Sequence, residues 1–145
     1  MNRLAESVVV GHIRSLQVDH AMVASTDQQT VKPWSRGELD FAPHVPDLSQ
    51  IGFELSGGRL DYLVDKNVAA LVYYRRLHPI NVFTHPAPND DQRPVKRFTR
   101  QGFHIRHWQR GGMVHWAISD LNDQELDEFV RRFGEPSAAL PVRAN

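Results

Sequence analysis

Eight histidines are the side chains of this sequence with the readiest chemistry, because imidazole can ligate a metal or carry a proton near neutral pH. His12 and His20 would sit on one helix, where their spacing separates them by ~12 Å along the axis. A single zinc with bonds of about 2.0–2.1 Å to nitrogen cannot hold both. His20, central on an apolar stripe, reads as a hydrogen-bonded core histidine rather than a ligand or base. His104 and His107 alternate across a strand and point to opposite sides, whereas His104 and His115 share a side but are offset along it. A surface metal site on those two is conceivable chemistry, yet no Asp or Glu in that hairpin completes a coordination set.

Other reactive groupings are weaker. No Gly-x-Ser-x-Gly elbow or similar nucleophile context occurs. Gly57-Gly58 and Gly111-Gly112 are short pairs in strand contexts, without the strand-to-helix pattern that cradles phosphate. Asp61 with Asp65, and Asp120 with Asp123, fit loop and cap positions better than a catalytic dyad. Cysteine is absent, which removes thiolate zinc, thiol catalysis and disulfides together and suits an oxidising compartment. Trp108 and Met113, on the side of a sheet away from its core, form an apolar patch that something has to cover. The first helix, the segment around Trp34, a second subunit and a ligand are the open alternatives.

These residues need a scaffold, and 145 residues suffice for one domain that buries about 68–70% of its unfolded surface. Hydrophobic residues make up 41% and charged ones 23%, ordinary globular usage. The 17 basic and 17 acidic side chains cancel, which argues against nucleic acid as a partner, since duplex affinity rests on neutralising phosphates. Charge is nonetheless segregated: Arg93, Lys96, Arg97, Arg100, Arg106 and Arg110 precede Asp120, Asp123, Glu125, Asp127 and Glu128. The two segments either face each other or form a solvated surface worth little to stability. No run approaches the ~18 apolar residues of a membrane span, and the first residues lack the apolar core of a signal peptide.

Residues 4–23 contain no proline and place Ala5, Val9, Ile13, Leu16, His20 and Val23 on one stripe, which predicts a long amphipathic helix. Lys32 before Pro33 favours an extended arm anchored by Trp34. Residues 46–52 read as one helical turn, capped by Asp47 and stopped by Gly52. Strands are predicted at 53–63, 68–74 and 80–85, joined by short polar connections and hence antiparallel. Gly57-Gly58 marks a bulge, and residues 86–94, rich in proline, read as a mobile loop.

The next hairpin gets its register from burial. With Arg110-Gly111 as the turn, His107 faces Val114, Ile105 faces Trp116 and Phe103 faces Ile118, so their apolar side chains share one side. Trp108, Met113, His104, Arg106 and His115 then occupy the other. A final helix opens with Asn122 as N-cap, Glu125 three residues on, and Leu121 stapled to Leu126. Leu126, Phe129, Val130 and Phe133 form its core stripe, and Gly134 ends it. The expectation is that it packs on the apolar side, with 135–145 as a tail.

Three blocks carry a family resemblance. The first runs from His12-Ile13-Arg14-Ser15-Leu16 through Asp19-His20 to Thr30-Val31-Lys32-Pro33-Trp34. The second is Gly37-Glu38-Leu39-Asp40-Phe41 to Pro46-Asp47-Leu48. The third is Gly52-Phe53 with Gly58-Arg59-Leu60-Asp61-Tyr62-Leu63, followed by Val68-Ala69-Ala70-Leu71-Val72-Tyr73. Together they make the chain resemble the extracytoplasmic part of proteobacterial membrane-anchored anti-sigma factors. Departures occur at Gln29, where the family often has His, and at Ser35, where it often has Phe.

The resemblance implies a periplasmic sensory or regulatory domain and not an enzyme. Its sigma-factor partner would bind through a cytoplasmic segment outside this chain, and the parent protein would be held at the inner membrane by a helix also outside it. The expected fold is α+β: an antiparallel sheet of about five strands, a long N-terminal helix and a capped C-terminal helix, in one domain over 1–134. Candidate ligand or partner contacts are Lys32, Trp34, His104, Trp108, Met113 and His115. No cofactor, resident metal or nucleic acid is expected, and a homodimer is possible. The alternative is a small periplasmic ligand- or metal-binding module using the Trp108, His104 and His115 side of the sheet.

Overall fold

The computed structural model describes residues 2–17, 41 and 43–134. Six antiparallel strands form one sheet: β1 (Glu54–Leu63), β2 (Lys66–Arg75), β3 (His78–Pro86), β4 (Arg93–Arg100), β5 (Phe103–Arg110) and β6 (Met113–Ser119). Their spatial order is β1-β2-β3-β6-β5-β4, so two three-stranded meanders meet at β3 and β6. A helix covers each face: α1 (Asn2–Gln17) and α2 (Asp123–Phe133). This is the α+β architecture expected, with one strand more.

The additional strand, β4, has no buried residue. It carries no apolar alternation for a sequence pattern to register, and it begins at the end of the expected mobile loop, taking in residues 93 and 94. Residues 87–92 are tied down as well: the Gln109 amide donates to the Asn89 side chain at 3.0 Å and to the Asp91 carbonyl at 2.9 Å.

Four two-residue turns close the hairpins, because the strands run further than their apolar cores. In three of them both central residues have positive φ: Val64 and Asp65, Gln101 and Gly102, Gly111 and Gly112, the geometry that matches the right-handed strand twist. The β5–β6 turn is thus Gly111-Gly112, and Ile105 faces Ile118 while His107 faces Trp116. The expected pairing was slipped by two residues. A slip of two leaves every side chain on its own face, so the division of the hairpin into two sides stands. The expected bulge lies between Leu55 and Gly57.

Both faces are cores. Phe83, Ile105, Val114, Trp116 and Ile118 pack under Ala5, Val8 and Val9 of α1. Leu71, Tyr73, Val82, Trp108 and Ala117 pack under Leu126, Phe129, Val130 and Phe133 of α2. The C-terminal helix therefore covers the side opposite the one expected. The cause is that α1 occupies the first side, while Trp108 and Arg106 supply the second with an apolar surface and a cation for α2.

α2 begins as the sequence indicates, with Asn122 Oδ1 accepting the Glu125 amide at 2.8 Å. Its acidic turn meets the basic strands: Arg106, with a side chain only 2% exposed, donates to Asp123 at 2.6 Å and Asp127 at 2.7 Å. Arg97 reaches Asp127 at 3.2 Å. The 3-10 turn Ser49–Ile51 has Leu48 rather than the expected Asp47 at its N-cap; Asp47 Oδ1 accepts the Ser49 amide at 3.0 Å from one residue further back, and Gly52 ends the turn at φ +93°.

α1 is rotated from its expected stripe. Ala5, Val8, Val9, His12 and Ser15 are buried, whereas Leu16 is 45% exposed and Ile13 only half-buried. Two contacts set this rotation. A Cβ on Gly11 would stand 3.1 Å from Phe83 Cζ, so the missing side chain lets the helix approach the sheet. His12 Nδ1 then accepts the Asn81 amide at 2.7 Å. Residues 18–23 of the expected helix, with His20, lie outside the described residues.

Candidate functional site

Trp108 is placed by β5 on the α2 side of the sheet, beneath the last turn of α2. Its ring lies 6.2 Å from Phe133 and 5.0 Å from His115. Its outer edge floors a trough between the end of α2 and the strands β4, β5 and β6. One part, of about 420 Å³, is lined by Val95, Arg97, Trp108, Arg110, Asp127, Val130, Arg131 and Gly134. The other, of about 240 Å³, adds His44, Gly111, Met113 and His115. The two share Trp108, Arg110 and Gly134, so they are one open depression with an apolar floor.

Of the expected contacts, the structure gathers three: Trp108, Met113 and His115 line this trough. His104 does not join them. It pairs with Ser119, while His115 pairs with Trp108, which puts the two imidazoles about 13 Å apart along the strand at roughly 3.3 Å per residue. His104 instead lies 3.4 Å from Asp123 at the start of α2. A metal site on His104 and His115 is therefore ruled out by register. Among the described residues, no three His, Asp or Glu side chains are grouped as metal ligands would be. Lys32 and Trp34 lie outside the described residues.

His115 is a core residue rather than a reactive one. Its Nδ1 is 2.9 Å from Thr84 Oγ1, its ring is 5.4 Å from Phe133, and burial lowers its pKa to about 3. It is neutral at physiological pH. His44, from the irregular segment before the 3-10 turn, donates through Nε2 to the Phe133 carbonyl at 2.8 Å, satisfying an end-of-helix acceptor.

The rim of the trough is what the sequence reading missed. Arg110 and Arg131 project there with no carboxylate in ion-pair contact among the described residues, and Arg97 flanks them while holding Asp127. In the sequence Arg110 is only part of a basic run, while Arg131 sits in the last turn of α2, where a cation complements the helix dipole. What brings them together is the packing of α2 on the Trp108 side of the sheet, the side opposite the one expected, with Arg97 added by β4.

The opposite face holds a polar seam under α1. His12, buried against Asn81 and edge-on to Phe103 at 4.8 Å, has its pKa lowered to about 4 by burial, which outweighs the attraction of Asp120. Among the described residues, Ser15 Oγ, Asn81 Oδ1, His85 Nε2 and Trp116 Nε1 on this face are buried without a hydrogen-bond partner. Beyond the seam, Arg14 of α1 grips Asp61 of β1 through Nη2 at 2.8 and 3.0 Å.

No protein-family model matches the chain, and no curated protein or solved structure matches it significantly.

Proposed function

We propose that the chain is the extracytoplasmic sensory or regulatory domain of a membrane-anchored anti-sigma factor, at the periplasmic face of the inner membrane. What supports the reading is that the three stretches of the resemblance bind one another in space. Arg14 of the first holds Asp61 of the third at 2.8 Å, and the Tyr73 hydroxyl of the third donates to the Pro46 carbonyl of the second at 2.7 Å. Leu48, Phe53, Leu71 and Tyr73 share one core.

This arrangement couples α1 to the sheet. A helix seated over polar atoms that have no partner among the described residues gains less from its seat than one on a sealed apolar surface, which makes α1 the element a signal would shift. A signal acts by binding one seating more tightly than the other; equal affinity shifts nothing. Among the described residues no helix is long and apolar enough to cross a membrane, and the anchor and the sigma-binding segment belong to the parent protein.

The test is genetic. Deleting the parent gene in its host is expected to raise transcription of one sigma-factor regulon, and Asp61→Asn in the intact parent is expected to change its set point. An unaltered transcriptome after deletion overturns the reading.

A further inference from the structure

We infer that the trough beside Trp108 and the adjoining β4 edge form a docking surface for an acidic, extended protein segment carrying an apolar anchor residue. The inference stands independently of the regulatory reading. It rests first on charge. Arg97, Arg110 and Arg131 surround the depression against one carboxylate, Asp127, and that carboxylate is already engaged by Arg106 at 2.7 Å and Arg97 at 3.2 Å. Among the described residues two guanidinium groups are thus left over above a floor of the 42%-exposed Val95 and the edges of the buried Trp108 and Val130. Arg and Trp are enriched among the few residues that carry most of the energy at protein interfaces, and the surplus positive charge selects an acidic partner and speeds its approach.

The second observation is the edge. β4 is the last strand of the sheet, so among the described residues its outer backbone groups have no strand partner. An extended segment can pair with such an edge and drop alternate side chains into an adjacent hollow. Arg93, Lys96, Arg97 and Arg100 along this strand repel a second copy of the same edge, which leaves a segment of opposite charge as the complementary occupant. Among the described residues the trough is open along its length, unlike the enclosed clefts that surround most of a small ligand.

Fluorescence anisotropy on the purified chain tests this with a labelled peptide alternating Glu and Leu, and with a Lys–Leu peptide as control. The Glu–Leu peptide is expected to bind and to weaken as salt rises; the control is not expected to bind. Arg110→Glu combined with Arg131→Glu is expected to weaken binding roughly tenfold or more, whereas Arg3→Glu, an exposed change on α1, is expected to leave it unaltered. Circular dichroism checks that each variant is folded. Equal binding of the two peptides, indifference to the Arg110 and Arg131 changes, or undiminished binding of a Glu–Leu peptide N-methylated at alternate amides overturns the inference. So does binding that appears only once residues 135–145 are removed, which would assign the trough to the chain's own terminus.

Discussion

Arg106 of β5 and Asp127 of α2 are 2.7 Å apart, with the guanidinium group 2% exposed and the carboxylate 44% exposed. Asp123 closes the other side of the same cation at 2.6 Å. The pair is one-sided: the cation is in the core, while its anions keep contact with water.

That asymmetry makes the two ends of the interaction unequal under mutation. Asp123→Asn with Asp127→Asn strands a buried charge and is expected to lower the urea midpoint clearly, though water reaching the site softens the loss. Arg106→Met removes the charge and keeps an apolar stem in the same space, with an expected cost of about 1 kcal/mol or less. Urea unfolding of both variants checks the order.

Stability is expected to fall with pH in two stages. Burial lowers His12 from 6.5 to about 4 and His115 to about 3, and His85 and His107 move the same way. As pH drops below about 6.5 the unfolded chain gains protons that the folded chain refuses, so unfolding becomes easier through that window. For His12 the effect amounts to roughly 3 kcal/mol once pH reaches its folded value. Asp123 and Glu125, held below their usual range by hydrogen bonds from Arg106 and Arg76, contribute a further loss at lower pH. Urea midpoints measured from neutral pH downward, with NMR titration of the imidazoles, check both stages. A flat profile down to pH 4 contradicts it.

Val64 has φ +46° in the β1–β2 turn, a region costly for a branched side chain. Val64→Asn is expected to stabilise the protein by about 0.5–1 kcal/mol, since Asn tolerates positive φ in this kind of turn. A thermal melt showing no rise or a fall would mean that the half-buried valine contributes more by packing than it loses by strain.

Gly11 controls how closely α1 lies on β3. Gly11→Leu pushes a side chain into the Phe83 ring, whose Cζ is only 3.1 Å from the Cβ position. It is expected to unseat α1 while leaving the α2 face intact. Amide hydrogen exchange checks this: faster exchange in α1 with retained protection in β5, β6 and α2.

The capped start of α2 was legible because Asn122, Glu125 and the Leu121 to Leu126 spacing signal locally. The hairpin faces were legible because alternation survives a two-residue slip of register. β4 was not, because an edge strand with Arg93, Lys96 and Arg97 in water has no apolar face to announce it. The stripe of α1 was misplaced because its buried face is partly polar, with His12 and Ser15 inside and Leu16 outside. The near-continuous apolar run from Val68 to Tyr73 did carry a signal of burial on both faces, which fits a helix on each side. Of the candidate site, Trp108, Met113 and His115 were found from face alone, but the arginine rim depends on three elements distant in sequence.

Four of the five strand pairings join neighbours in sequence through two-residue turns; only β3 with β6 unites distant parts of the chain. Each meander can zip by itself, whereas the sheet's midline waits for its final strand and must bear the entropy of closing the intervening loop. A nascent chain ending near Pro86 would therefore present β3 as a bare apolar border. Val82 and Ala117 face each other across that midline, where the two halves of the chain first have to meet.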